Sequence, residues 1–313
     1  MKSRQGGFLT VLCLLLVALV GPGCGEDAQA PIGERPVEVV ATTNFLADMA
    51  REVGGPRTSV AALMGPGVDP HSYKASASDV RTLRDADLLL HVGLELEGRM
   101  GDWFKEMSRR TEVVAVTDGI PRQALLASAD YQDRFDPHVW FEVPLWISAV
   151  DAIEDALIRI DPAGARGYSA RAASYRGRLQ SLDEEVRITL SAVPPSKRVL
   201  VTSHDAFAYL GRGYGFKVEG IQGISTVAEA TTADIERVAE SVAASKIPTI
   251  FVESSVSPQT MRAVQEAAAR KGHSVELGAE LFADSAGAAE SPEGTYIGMV
   301  RANARRIAEG LRS

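Results

Sequence analysis

The sequence predicts an α/β protein of two βαβ-type lobes, each with a mainly parallel sheet, joined by one long rigid backbone helix. Short apolar strands alternate with helical patterns between residues 37 and 116, and again between 198 and 311. Between these halves, 162–193 reads as one helix that stops at Pro194-Pro195. A chain of 313 residues has room for two ordinary domains.

In the first half, 37–42 (VEVVAT) reads as a strand and 44–53 as a helix. Strand 58–64 (TSVAALM), a short helix 78–85, strand 88–92, helix 100–110 and strand 112–116 follow. In the central stretch Pro162 suits a first helical position. Tyr168, Tyr175, Leu179, Leu182, Val186 and Leu190 recur at spacings of three, four or seven, so one face is buried. Some ~30 residues at 1.5 Å each span ~45 Å, longer than one lobe requires. The alternative is an ordinary long helix inside one large domain. The second half repeats the alternation: strand 198–202 (RVLVT), helix 206–211, strand 217–221 and a helix 232–244 behind the cap candidates Thr231 and Thr232. Strand 249–252 (TIFV), helix 258–271 closed by Gly272, strand 274–277 and helix 296–311 complete it. The expected organisation is 1–24 a signal peptide, 25–36 a flexible tether, 37–161 a first lobe, 162–195 the linking helix and 196–313 a second lobe.

Residues 1–7 carry Lys2 and Arg4, 8–20 are almost wholly apolar, and Gly21-Pro22-Gly23-Cys24 follows. A basic start, a short apolar run and a small-residue exit describe a secretory signal rather than a buried N-terminal helix. With Cys at its end, the segment resembles a bacterial lipoprotein signal with Cys24 as the lipidated residue. Gly21 stands where such signals usually carry Leu, and plain secretion with cleavage nearby is the alternative. A lipid on Cys24 would tether a soluble body to a membrane surface. The tether 25–35 has no apolar periodicity.

The formal charge is -8, from 33 Lys and Arg against 41 Asp and Glu. That balance argues against a nucleic-acid partner, which needs a basic footprint. No apolar run approaches the ~20 residues of a membrane span, which excludes a polytopic membrane protein. Both cysteines, Cys13 and Cys24, lie in the leader. The body can therefore make no disulfide, thiolate zinc site or cysteine nucleophile, and a metal site would have to use His, Asp and Glu.

Five histidines are present: His71, His91, His138, His204 and His273. Two share a tripeptide, Asp69-Pro70-His71 and Asp136-Pro137-His138. Pro fixes the backbone before each ring, and the Asp is placed to accept from a ring nitrogen or to cap a following helix. His204 follows strand RVLVT directly, and His71 follows TSVAALM and a glycine loop. Strand ends face the ligand crevice of an open α/β sheet, so a shared site explains these three histidines better than chance. Their separations of 67 and 66 residues are not those of a compact zinc motif. A fourth ligand could be Asp284, with Glu280, Glu253 and Asp205 as rivals. His273 reads as a solvated helix exit and His91 as a satisfied core or strand-end residue.

Several segments carry a resemblance: Val68-Asp69-Pro70-His71-Ser72-Tyr73, Asp136-Pro137-His138-Val139-Trp140, Thr202-Ser203-His204-Asp205-Ala206-Phe207, Ile221-Gln222-Gly223-Ile224-Ser225-Thr226, Leu281-Phe282-Ala283-Asp284-Ser285 and Gly294-Thr295-Tyr296. From about residue 37 to 311 the chain resembles the metal-binding receptors of bacterial zinc and manganese ABC transporters, the zinc-uptake, treponemal TroA-like and pneumococcal adhesin-like lipoproteins. The resemblance implies two lobes on one backbone helix, with the metal between them. It implies His71 and His138 as ligands from the first lobe, and His204 and Asp284 from the second. It also implies modest lobe and loop shifts on release.

Three imidazoles and one carboxylate favour Zn²⁺ over Mn²⁺ as the transported ion. Manganese receptors of the family tend to carry Glu at the position of His204, which agrees. Against zinc, no His lies between His91 and His138, where many zinc receptors have a His- and acid-rich loop. The expected partners are a divalent metal ion, a permease with its ATPase and, through the lipid, a membrane. The expected form is an exported monomer. A zinc enzyme with three His ligands and Glu253 or Asp205 as base is the rival, but no HExxH, Gly-x-Ser-x-Gly or phosphate loop supports it. A surface adhesin with no transport role, which a lipid anchor would also permit, is a second rival.

Overall fold

The computed structural model describes residues 30–128 and 133–312. The expected signal peptide, with Cys24, lies outside the described residues. Among those described, no helix is long and apolar enough to cross a membrane.

The first lobe is built on a four-stranded parallel sheet, β1 (Val37–Ala41), β2 (Thr58–Ala62), β3 (Leu88–His91) and β4 (Glu112–Ala115), in the order β2-β1-β3-β4. Val39 pairs with Val60 on one side and Leu88 on the other, and Leu90 pairs with Val114. Helices cover both faces, which is why central β3 begins with an unbroken apolar Leu88-Leu89-Leu90. On one face α1 (Asn44–Gly54) starts at Thr43, whose side chain accepts from the Leu46 N–H. On the other, α2 (Ala77–Arg84) opens with a reciprocal Ser76/Asp79 cap. Leu83 from α2, with Phe104 and Met107 of α3 (Gly101–Met107), packs against Val40 and Leu89.

Helix α4 (Val143–Ile160) has no counterpart among the sequence-read elements. It buries Trp146, Ala149, Val150, Ile153, Ala156 and Leu157, a helical spacing present in the sequence. The linking helix α5 runs over Ala165–Ser191, and a tighter helical turn takes Pro162–Gly164. Its six predicted core residues are all buried, and 27 residues give it a length of about 40 Å. It is anchored along that length. Arg171 donates to the Val53 and Gly54 carbonyls at the end of α1, satisfying acceptors a helix terminus leaves open. Arg178 pairs with Glu52, and Arg301 pairs with Glu185.

The second lobe holds two parallel pairs, β5 (Val199–Thr202) with β6 (Lys217–Gly220) and β7 (Thr249–Ile250) with β8 (Glu276–Leu277). The Phe251 N–H donates to the Val201 carbonyl (2.9 Å), which sets the pairs side by side. Helices α6 (Ala208–Tyr214), α7 (Thr232–Ala244) and α8 (Gln259–Arg270) flank them. Val238, Val242, Met261 and Val264 close a small core over Val201 and Ile250. The last helix, α9 (Tyr296–Arg312), packs on α5, so one apolar cluster continues from Val39 through Tyr175 to Ile307.

The segment expected to be a leash up to residue 36 is fixed from Ile32. Ile32 packs on the core, and Arg35 forms a two-pronged ion pair with Asp87, whose carboxylate also accepts the Glu38 N–H. Sequence periodicity does not register a single apolar anchor followed by a salt bridge.

Candidate metal centre

His71, His138, His204 and Asp284 come together at the carboxyl ends of the strands, between the lobes. One ligand atom from each lies within 4.8 Å of all the others. The Nε2 atoms of His71 and His138 are 3.3 Å apart. His138 Nε2 is 3.5 Å from Asp284 Oδ1, and His204 Nε2 is 3.4 Å from Asp284 Oδ2. Ligand atoms about 2.0–2.2 Å from a tetrahedral ion stand roughly 3.4 Å from each other, so these edges have single-ion size. His138 and His204 are 0% exposed, Asp284 1% and His71 6%. His204 Nε2 and Asp284 Oδ1 are buried without a hydrogen-bond partner among the described residues. Such orphaned atoms are costly unless something fills the space between them.

Each side chain is aimed by its own local structure. Asp69 and Asp136 accept the backbone N–H two residues on, at His71 and His138 (2.9 Å each), so both tripeptides form the same side-chain turn. Neither Asp caps a regular helix. Asp136 Oδ1 also takes His138 Nδ1 at 2.7 Å. Glu253 does the same for His204, accepting its backbone N–H at 2.9 Å and its Nδ1. A ring that donates from Nδ1 to a carboxylate presents the Nε2 lone pair to the cluster, as a metal-ligating histidine requires. Asp284 sits midway between two amide clamps. Asn303 brackets Phe282, and Asn44 brackets Ala286, each with two hydrogen bonds of 2.7–3.0 Å. The Trp140 indole, edge-on to His138, donates to the Ala283 carbonyl and closes that side.

Electrostatics separate the four side chains. Burial pushes His71 down to about 4, against the pull of Asp284. Burial also opposes charge on His138, but Asp136 and Asp284 outweigh it and raise it to about 9. His204 is raised well above the ordinary imidazole value, because Glu253 and Asp284 outweigh its burial. Burial likewise works against charge on Asp284, yet the facing rings hold it well below the usual carboxylate range.

The rivals of Asp284 fall elsewhere. Glu253 stands behind His204, Glu280 is exposed, and Asp205 lines a separate cleft. Of the histidines set aside, His273 is not simply solvated: its Nε2 lies 2.7 Å from the Ile247 carbonyl. His91 ends β3 against the Phe104 ring. Its Nδ1 is 3.8 Å from Glu97 and has no hydrogen-bond partner among the described residues, so it is not the satisfied residue expected. Sequence reading missed the clamps Asn44 and Asn303, for which the motifs held no signal. It weighed Glu253 only as a ligand or base.

Two α/β lobes on a helical spine, with a buried polar cluster of single-ion size between them, define the class of two-lobed binding proteins. The chain belongs to the family described as zinc-uptake complex component A, periplasmic (ZnuA), whose model matches residues 39–310. It is 41% identical over 309 residues to the manganese-binding lipoprotein MntA of Bacillus subtilis (strain 168), covering 99% of this chain and 100% of that one. It is 42% identical over 273 residues to the zinc-binding protein TroA of Treponema pallidum (strain Nichols), covering 87% and 88%. The solved structure of the periplasmic TroA matches with a TM-score of 0.87 at 41% identity, over 89% of this chain and 100% of that one. A third relative, at 30% identity over 96% of this chain and 98% of its own, is the manganese ABC transporter substrate-binding lipoprotein PsaA of Streptococcus pneumoniae.

Proposed function

We propose that this protein captures a divalent transition metal ion outside the cytoplasmic membrane and delivers it to an ABC permease driven by a cytoplasmic ATPase. His71, His138, His204 and Asp284 are the ligands. The convergence of their donor atoms within 4.8 Å carries the reading. Residues 37–161 and 196–313 act as the two binding lobes about the helix 162–195. The protein works as a monomer, held at the membrane by a lipid on Cys24. Four protein ligands around one ion suit carriage rather than hydrolysis, which needs an open position for water.

Zinc is the ion we assign. Three imidazoles with one carboxylate suit a borderline cation, and the divalent affinity order places zinc above manganese. Manganese is the second reading, favoured by the full-length similarity to MntA and by both Asp284 oxygens facing the cluster. Calorimetric titration of the untagged, chelator-stripped protein lacking residues 1–24 separates them. One tight zinc site with weak manganese binding is the expected result. Comparable or tighter manganese binding would reassign the cargo, and no binding of either would overturn the receptor reading.

A further inference from the structure

The two sides of the metal cluster are closed very differently. On one side the lobes meet through buried groups. Phe141 stacks on Phe207 with ring centroids 4.4 Å apart, Tyr209 donates to the Asp136 carbonyl, and Tyr296 donates to the Trp140 carbonyl. These contacts hold the loop that carries His138 against the starts of the helices that follow His204 and Asp284. On the other side stands the 65–73 loop, which carries His71. Two hydrogen bonds tie it to the second lobe, Thr226 Oγ1 to Asp69 Oδ2 (2.6 Å) and the Gly67 N–H to Ser285 Oγ (2.9 Å). A cavity of about 380 Å³ opens on this side, lined by Leu94, Phe135, Ile224 and Val227, and His71 is the one cluster ligand in its wall. Val227, next to Thr226, is 50% exposed.

We infer that the Thr226–Asp69 hydrogen bond is the latch that sets how long the ion stays bound, with Thr226 acting as a positioning residue. The inference rests on the four side chains being the metal site. Among the described residues no hydrogen bond joins the Asp69 carboxylate to the His71 ring. Its Oδ1 accepts the His71 N–H, and its Oδ2 accepts both Ser72 Oγ and Thr226 Oγ1. One carboxylate thus couples the second-lobe loop to the backbone that aims His71. His138 and His204 are held by their own carboxylates, and Asp284 by its two amide clamps. His71 is therefore the ligand that can withdraw without breaking a buried seam, and the cavity gives it room. The ion leaves when Thr226 lets go of Asp69 and His71 swings into that space.

The test compares the wild type with Thr226→Val, which keeps the shape and removes the hydroxyl, and Thr226→Ser, which restores it. Zinc release is timed by stopped-flow mixing with excess chelator, alongside calorimetric stoichiometry and melting of the metal-free proteins. Losing a hydrogen bond to a carboxylate should speed release by about tenfold in Thr226→Val. Stoichiometry should stay at one ion, and metal-free melting should not change. Thr226→Ser should return release to near the wild-type rate. Wild-type release from Thr226→Val, or no recovery in Thr226→Ser, would overturn the latch while leaving the metal site standing. A lowered metal-free melting point with unchanged release would reduce Thr226 to a structural contact. Failure of the wild type to bind zinc would remove the site, and the latch with it.

Discussion

The two Asp-Pro-His loops share a sequence and a backbone turn, yet they do different work. Around His138, Asp136 is spent inward: it holds the ring nitrogen, and Trp140 seals the ring from water. Around His71, Asp69 is spent outward, on Ser72 and on Thr226 of the facing lobe. The tripeptide supplies only the turn. What the carboxylate does beyond it is decided by the side chain that the fold brings alongside. The same local code therefore yields one ring fixed by its own Asp and one whose Asp is turned to the facing lobe.

The largest expected effect tests whether both loops are ligands at all. His138→Ala and His71→Ala should each weaken zinc binding on the order of a hundredfold to a thousandfold, judged by sharing the binding energy of a four-ligand site. Calorimetry or chelator competition reads this, and unchanged affinity in either variant would remove that loop from the site. Next come the carboxylates. Asp136→Asn should cost about 10–100-fold in affinity, as loss of an orienting partner does. Asp69→Asn should act chiefly on the release rate, and an equal affinity loss in both would erase the contrast between the loops.

The smallest effect is in the metal-free protein and has opposite sign for the two rings. His138, raised to about 9, favours the folded state while protonated. That contribution is full below the unfolded value of about 6.5 and is lost as pH rises through about 9. His71, lowered to about 4, resists protonation when folded, so its contribution is lost as pH falls from about 6.5 toward that value. Melting the metal-free protein from pH 4.5 to 9 should show a maximum near the middle. His138→Gln should flatten the alkaline side by about 1–2 kcal/mol, and His71→Gln the acid side. A single-signed slope throughout would contradict the assignment.

Much of this was legible in the chain. Apolar strand cores, the buried stripe of α5, the position of His71 and His204 after strands and the tripeptide that His138 shares with His71 all follow from local pattern. Helix α4 is equally periodic, from Trp146 to Leu157, and its signal lies as plainly in the chain. Strands β7 and β8 are shorter than their apolar runs suggest, because pairing passes into an isolated bridge, Glu253 to Leu281. The support of the site was not legible. Glu253 reaches His204 across 49 residues, Asn44 reaches Ala286 across 242, and Thr226 reaches Asp69 across 157. The first forms only once the second lobe has folded, and the other two only once the lobes are in register. Asp284 was separable from its acidic rivals only by family resemblance.

The carboxylates behind the rings have a further consequence. The carboxylates facing His138 and His204 raise both rings above the ordinary imidazole value, and the rings hold Asp284 well below the usual carboxylate range. A divalent ion bound at their Nε2 atoms would bring two positive charges and displace a proton from each ring. Zinc titrations in buffers of different ionisation enthalpy should therefore count about two protons released per ion, and a count near zero would contradict this. On that count the loaded and metal-free proteins would carry nearly the same net charge. The proposed permease would then have to tell the two forms apart by the position of a loop rather than by charge.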